Sequence, residues 1–287
     1  MKNRVEQILA SAAALRPFPK VAQRALALLD DPMVSAGKLV EVISLDAALT
    51  AAVLKAANSA TFARTRQVDD LKQALSLLGN GRFRELVFAS AAAPFLSSSQ
   101  VGYQLSPGDL WRHSVATSLL AQELAKRSKL DAGPLLFTAG LLHDLGKAVL
   151  SEYVEAGAGD ILTLVKTKGR TFLEAELEVL GMHHAELGAR VAERWNFSPE
   201  MVELIRFHHE PELRPQSKPL AALHVANALT QLSGVSAGVD GLQQRSHEAS
   251  VKLLGLTRKD LEASLAELHS KLAAAESLVG MAPPRAA

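Results

Sequence analysis

The chain contains no cysteine. That excludes disulfides, thiolate metal sites and cysteine nucleophiles, so any bound metal must be held by imidazole and carboxylate. Aromatic residues are scarce, at 5%, and no segment alternates β-branched residues with period two, so the usual signs of sheet are missing. No run approaches the roughly 18 apolar residues of a membrane span. The opening stretch, MKNRVEQILASAAALRPFPK, is interrupted by Glu6 and Gln7 and reads as an amphipathic helix, not a signal peptide. A cytoplasmic location without a membrane partner is expected. An excess of one charge is also missing: 31 basic residues meet 30 acidic ones for a net charge of +1. Residues 1–105 are mildly basic, with 12 basic and 8 acidic side chains, which is too little to argue for nucleic acid.

What is present is alanine, leucine and helical periodicity along nearly the whole chain. The fold class expected is all-α, a two-lobed helical bundle. In the front lobe, PKVAQRALALLDD places Val21, Ala25, Leu28 and Leu29 on one face. AGKLVEVISLDAALTAAVLKAANSA predicts two short helices broken near Asp46, DDLKQALSLLGN a helix closed by Gly79, and GRFRELVFASAAAPFL another ending near Pro94. SSSQVGYQLSPGD is rich in turn-formers and predicts a joint, giving lobes at 1–105 and 106–255. Ser106-Pro107 and Ser198-Pro199 both look like a hydroxyl cap followed by proline in the first turn. The second lobe is expected to hold helices over 107–128, 132–151, 156–167, 171–179, 184–195, 199–209 and 218–232. A tail, 256–287, sets Leu261, Leu265, Leu268 and Leu272 on a seam, to be covered by the body of the protein or by a partner helix in self-association.

Nine histidines are the most informative feature. Seven fall between residues 113 and 224: His113, His143, His183, His184, His208, His209 and His224. Burying an unpaired imidazole or carboxylate costs several kcal/mol, so such a group needs a compensating partner, and a divalent cation suits several imidazoles at once. TAGLLHDLGK places His143 beside Asp144, with Lys147 one turn on. That lysine would repel a cation but attract an anion such as phosphate. His208-His209 forms a second adjacent pair and GMHH opens a third candidate helix. Imidazole with one or two carboxylates suits iron, zinc, manganese or nickel, as one ion or two.

In order and spacing these motifs resemble the HD superfamily of metal-dependent phosphohydrolases, and within it the HDOD branch. LRPFPKVAQRALALLDDP, LDAALTAAVLKAANSATF and ALSLLGNGRFRELV resemble that branch's N-terminal half. LWRHSVATSLLAQELA, AGLLHDLGK, HAELGARVAERWNFSPEMVELIRFHH and LHVANAL resemble its HD-like half, so the likeness covers roughly residues 10 to 232. The resemblance implies that His113, His143 and Asp144 are metal ligands. It also implies a second position built on Asp144, His184, His208 and His209, as in the cyclic-dinucleotide phosphodiesterases. Two departures stand out. The late aspartate of the hydrolases is Asn227 here, and the Gly-Tyr-Pro run of the phosphodiesterases is absent from GMHHAELGARV. Asn227 would be a weak neutral ligand, and His224, three residues earlier, a substitute.

Three functions stay open at this level. The resemblance implies a signalling module that partners other signalling proteins, binds metal and turns over little or nothing. The alternative is an active phosphohydrolase acting on a nucleotide or cyclic dinucleotide, with Lys147 on the substrate phosphate. The third is a purely structural set of buried imidazoles, a reading that suits His183 and His224 best. Arg64, Arg66, Arg82 and Arg84 in the front lobe read mainly as a solvated rim, and NSATF as a polar clip from a helix end to the second lobe.

Overall fold

The computed structural model describes residues 2–29, 31, 33–58, 68–235, 238–241 and 248–279. Among them no strand forms, only a single bridge pair between Gln100 and Leu105. The helices of the first third are α1 (Lys2–Ala14), α2 (Lys20–Leu29), α3 (Ala36–Ile43), α4 (Ala47–Ala57) and α5 (Leu71–Leu96). Then follow α6 (Asp109–Arg127), α7 (Gly133–Leu142), α8 (Leu145–Ala156), α9 (Ala158–Lys168) and α10 (Phe172–Leu180). The last are α11 (His184–Arg194), α12 (Pro199–Phe207), α13 (Lys218–Leu232), α14 (Glu248–Leu254) and α15 (Arg258–Val279). No helix among the described residues is long and apolar enough to cross a membrane.

Two compact units result: Pro17–Pro94 with His269–Ala287, and Met1–Arg16 with Phe95–Leu268. The division falls inside α5 and returns α1 to the second unit, whereas turn-formers placed a joint near residue 105. In the smaller unit, Ser35 caps α3 by accepting from the Lys38 N–H, and Asp46 accepts from the Leu49 N–H at the start of α4. Gly79, at φ 71, kinks α5 at the position where the sequence predicts a helix end. That helix ends at Leu96, two residues past Pro94 and near the expected end. Asn58 exchanges two 2.7 Å bonds with the backbone of Val68, so it clips its own unit. The rest of NSATF, with Arg64 and Arg66, lies outside the described residues.

The larger unit carries the histidines. Its α7 is apolar on every side and packs chiefly against α6, which is in turn covered by α13. Such all-round burial, about 1.5–3 kcal/mol for each large side chain, makes these three helices the centre of the core. Ser198 and Ser217 cap α12 and α13 through the N–H groups of Met201 and Leu220. Thr171 and Glu174 form a reciprocal capping box on α10. Ser106-Pro107 does not behave like Ser198-Pro199: α6 starts two residues later, behind Gly108 at φ 88, and Asp109 reaches back to accept from the Ser106 N–H. In the tail helix Leu268 and Leu272 are buried within the chain, and Arg127 at the end of α6 pairs with Glu267 at 3.4 Å.

Candidate metal centre

The helix expected over 132–151 is two helices, and the break falls on the His143-Asp144 dyad. His143 still has helical angles, but Asp144 turns to φ −98, ψ 11 and starts α8. Continuous helix would splay the two side chains about 100° apart; the turn lets both face one interior space. Two glycines bring the neighbouring helices to it. A Cβ on Gly140 would lie 2.8 Å from the Ser118 nitrogen, so α7 meets α6 backbone to backbone and the His113 and His143 rings come within 5.3 Å. A Cβ on Gly146 would run into the His184 carbonyl oxygen, so the first turn of α8 can lie against the first turn of α11.

Asp144, fully buried, sits between two groups of imidazoles. Its Oδ2 is 3.5 Å from His113 Nε2 and 3.3 Å from His143 Nε2. Its Oδ1 is 3.5 Å from His184 Nε2 and 3.6 Å from His208 Nε2. His209 joins the second group, its Nε2 3.0 Å from that of His184. The structure thus assembles two clusters that share Asp144: His113 with His143, and His184 with His208 and His209.

Hydrogen bonds settle which ring nitrogens carry protons. His143 Nδ1 faces the Gly140 carbonyl at 2.7 Å and His208 Nδ1 the Ile205 carbonyl at 2.7 Å, so both must donate there. His184 Nδ1 donates to the Glu176 carboxylate at 2.7 Å. In each ring, unless a second proton charges it, Nε2 is then a lone pair aimed at Asp144. Lone pair facing carboxylate is repulsive, and the Nε2 atoms of His143 and His208, like Asp144 Oδ1, are buried without a hydrogen-bond partner. Between His184 and His209 a proton or a cation has to lie. A divalent cation answers all of these at once, so the residues present fit a metal.

The two positions are unequal. On the Oδ2 side, His113 Nε2 is 3.0 Å from Asn227 Oδ1. With the amide oxygen facing the ring, that nitrogen donates and its lone pair is gone. Oδ2 also accepts from Lys147 Nζ at 2.6 Å. On the Oδ1 side, among the described residues, no hydrogen bond reaches Asp144 Oδ1 or His208 Nε2, and the only such contact is the one between the His184 and His209 rings. The Asn227 amide oxygen, at the position of the missing carboxylate, thus engages His113, one of the candidate ligands.

Burial keeps three of the rings neutral: it pushes His113 down to about 4, His208 down to about 3 and His209 well below the ordinary value. Burial would also raise Asp144, but His143 and Lys147 outweigh it and hold the carboxyl well below the ordinary range. Burial opposes the charge on Lys147, yet Asp144 and Asp240 outweigh it and raise the lysine.

Asp240 is a partner that the sequence did not single out. It lies on a 3-10 turn, Val239–Gly241, and holds Lys147 Nζ at 2.6 Å. Lys147, expected to meet a substrate phosphate if the chain is active, is buried between the carboxylates of Asp144 and Asp240. Glu176 and Tyr103 were missed as well; only the rarity of tyrosine, two in the chain, could have drawn attention to one of them. His183 belongs to neither cluster and caps α11 by accepting from the Glu186 N–H. His224 likewise lies outside both clusters, and its Nδ1 donates to the His208 carbonyl at 2.6 Å, steadying the backbone that carries a ligand candidate.

The profile of the HDOD domain matches residues 15–211. An uncharacterized protein of Treponema pallidum (strain Nichols) is 30% identical over 207 residues, which make up 69% of this chain and 38% of that protein. The crystal structure of an HDOD domain protein of unknown function from Geobacter sulfurreducens has the same fold, with TM-score 0.72 at 24% identity over 95% of this chain and 98% of that one. A Shewanella amazonensis SB2B protein, provisionally named a phosphohydrolase, gives TM-score 0.70 at 27% identity over 96% and 98%. By a profile that spans most of its length, by this likeness of fold and by the clustered histidines, the chain belongs to the HDOD family.

Proposed function

We propose that the chain is a cytoplasmic regulatory module of signal transduction that holds a divalent transition-metal ion, iron, zinc, manganese or nickel, and turns over little or no phosphate ester. Asp144, His184, His208 and His209 would hold the ion, which supplies positive charge and Lewis acidity when bound. The observation that carries the reading is the closure of the other half of the centre. His113 is tied to Asn227, and Lys147 is tied to Asp144 and Asp240, so neither a second ion nor a phosphate finds its expected contacts. Its partners would be other signalling proteins.

An active phosphohydrolase or phosphodiesterase is the second reading. The complete second cluster favours it, as does the name given to the Shewanella neighbour. The test is to incubate metal-loaded protein with bis-p-nitrophenyl phosphate, nucleotides and cyclic dinucleotides. Background rates are expected throughout. Turnover that disappears in Asp144→Ala would replace the first reading by the second.

A further inference from the structure

Glu176 is a fully buried carboxylate that, among the described residues, pairs with no lysine or arginine. Its Oε2 accepts from the backbone N–H of His184 at 3.0 Å and from the ring Nδ1–H of the same residue at 2.7 Å. Its Oε1 accepts from the Tyr103 hydroxyl at 2.6 Å. Tyr103 is itself fully buried on a 3-10 turn, Val101–Tyr103. That turn is anchored to α8 by the Gly102 N–H, which donates to Ser151 Oγ at 3.1 Å. The tyrosine ring stands edge-on to the His184 ring, with centroids 6.1 Å apart. The carboxylate thus has donors on both oxygens, and the ring it grips cannot rotate without losing one of them.

We propose that Glu176, held by Tyr103, is a positioning residue that fixes His184 with its Nε2 lone pair toward Asp144 Oδ1 and makes that ring a stronger metal donor. The proposal rests on the metal-holding reading and assigns a role to residues outside both clusters. A carboxylate behind a ligand imidazole sets the tautomer and raises the basicity of the far nitrogen. His143 and His208 have only backbone carbonyls in that place. His184 is therefore the best-supported donor of the set, which adds a second reason for an ion to prefer its side of Asp144.

The experiment is a Co2+ titration of the full chain, followed by visible absorption and chelator competition, in wild type, Glu176→Gln and Tyr103→Phe. The glutamine keeps the shape and can still serve all three donors' positions, with its NH2 turned to the tyrosine oxygen, but it removes the charge. Co2+ affinity is expected to fall about 10- to 100-fold in Glu176→Gln and by less in Tyr103→Phe, while the melting temperatures of the chelated proteins coincide. Equal Co2+ affinity in wild type and Glu176→Gln overturns the role. So does a lowered melting temperature of the chelated variant with unchanged affinity, which would make Glu176 merely structural. If Glu176→Gln does not fold, unchanged affinity in Tyr103→Phe overturns the role instead. Absence of Co2+ uptake by wild type itself overturns the metal reading, and the role with it; equal uptake overturns the role alone.

Discussion

His113 Nε2 and Asn227 Oδ1 lie 3.0 Å apart, a hydrogen bond between α6 and α13 at the point where a hydrolase of this superfamily would carry two metal ligands. A carboxylate at residue 227 would attract a cation; the amide instead consumes the lone pair of the histidine. Asn227→Asp is therefore expected to raise metal content by up to a second equivalent per chain, measured by elemental analysis after loading and desalting. In chelator the same variant places a second carboxylate near Asp144, and its stability should fall by about 1–3 kcal/mol. Unchanged metal content would show that residue 227 does not control the Oδ2 side.

Lys147 is the only described side chain that joins Asp144 to Asp240, at 2.6 Å from each. Lys147→Met leaves two carboxylates buried without their cation. Loss of one partner of a buried pair costs about 3–5 kcal/mol, and chemical denaturation of chelated protein should show a loss of that order. Asp240→Asn keeps an acceptor for the ammonium and should cost clearly less. A Lys147→Met variant as stable as wild type would mean that the lysine is not locked.

Gly146→Ala should be the most disruptive small change near the centre. The new methyl meets the His184 carbonyl oxygen and, at 2.8 Å, the Gly188 nitrogen, both backbone atoms that cannot yield without moving α11. A loss of about 1–3 kcal/mol or more is expected, together with weaker metal binding. Gly159→Ala in α9 is the control: nothing lies within 4 Å of the added Cβ. Replacing glycine by alanine there, in the first turn of α9, should stabilise by up to about 0.5 kcal/mol. Thermal melts of the two variants should move in opposite directions.

Acid should destabilise the metal-free protein early. His113 and His208 are held down to about 4 and about 3 by burial, against 6.5 for a free ring. Between those values the unfolded chain binds protons that the folded one refuses, so stability falls as pH drops below about 6.5 and continues falling to about 3. Asp144, lowered in the folded state, adds a loss at still lower pH with the same sign. Melting temperatures in chelator from pH 8 to pH 4 would check this; a flat profile from pH 7 to pH 5 would contradict buried neutral rings.

Much of this was readable in order along the chain. Ser198 caps α12 as its Ser-Pro pattern announces, Asp46 stands at the break between α3 and α4, and Gly79 bends α5 where the motif stops. These are contacts over three or four residues, and a linear pattern records them. The same is true of the dyad and the histidine pairs, whose rarity in apolar helices marks them. Ser106 shows the limit: it has the cap pattern, yet Asp109 and Gly108 take over the start of α6.

The residues that pattern reading passed over share a different property. Asp240 meets Lys147 across 93 positions, and Tyr103 meets Glu176 across 73. Neither has a neighbour in sequence that would single it out; each matters only because folding puts a charge or a ring nitrogen against it. The chain's order is enough for an all-helical fold and for naming the imidazoles that converge. Which nitrogens keep a free lone pair, and that Lys147 is spent on two carboxylates, follows only from distant groups being packed within hydrogen-bond reach, where the cost of leaving a buried polar atom unpaired decides how each one points.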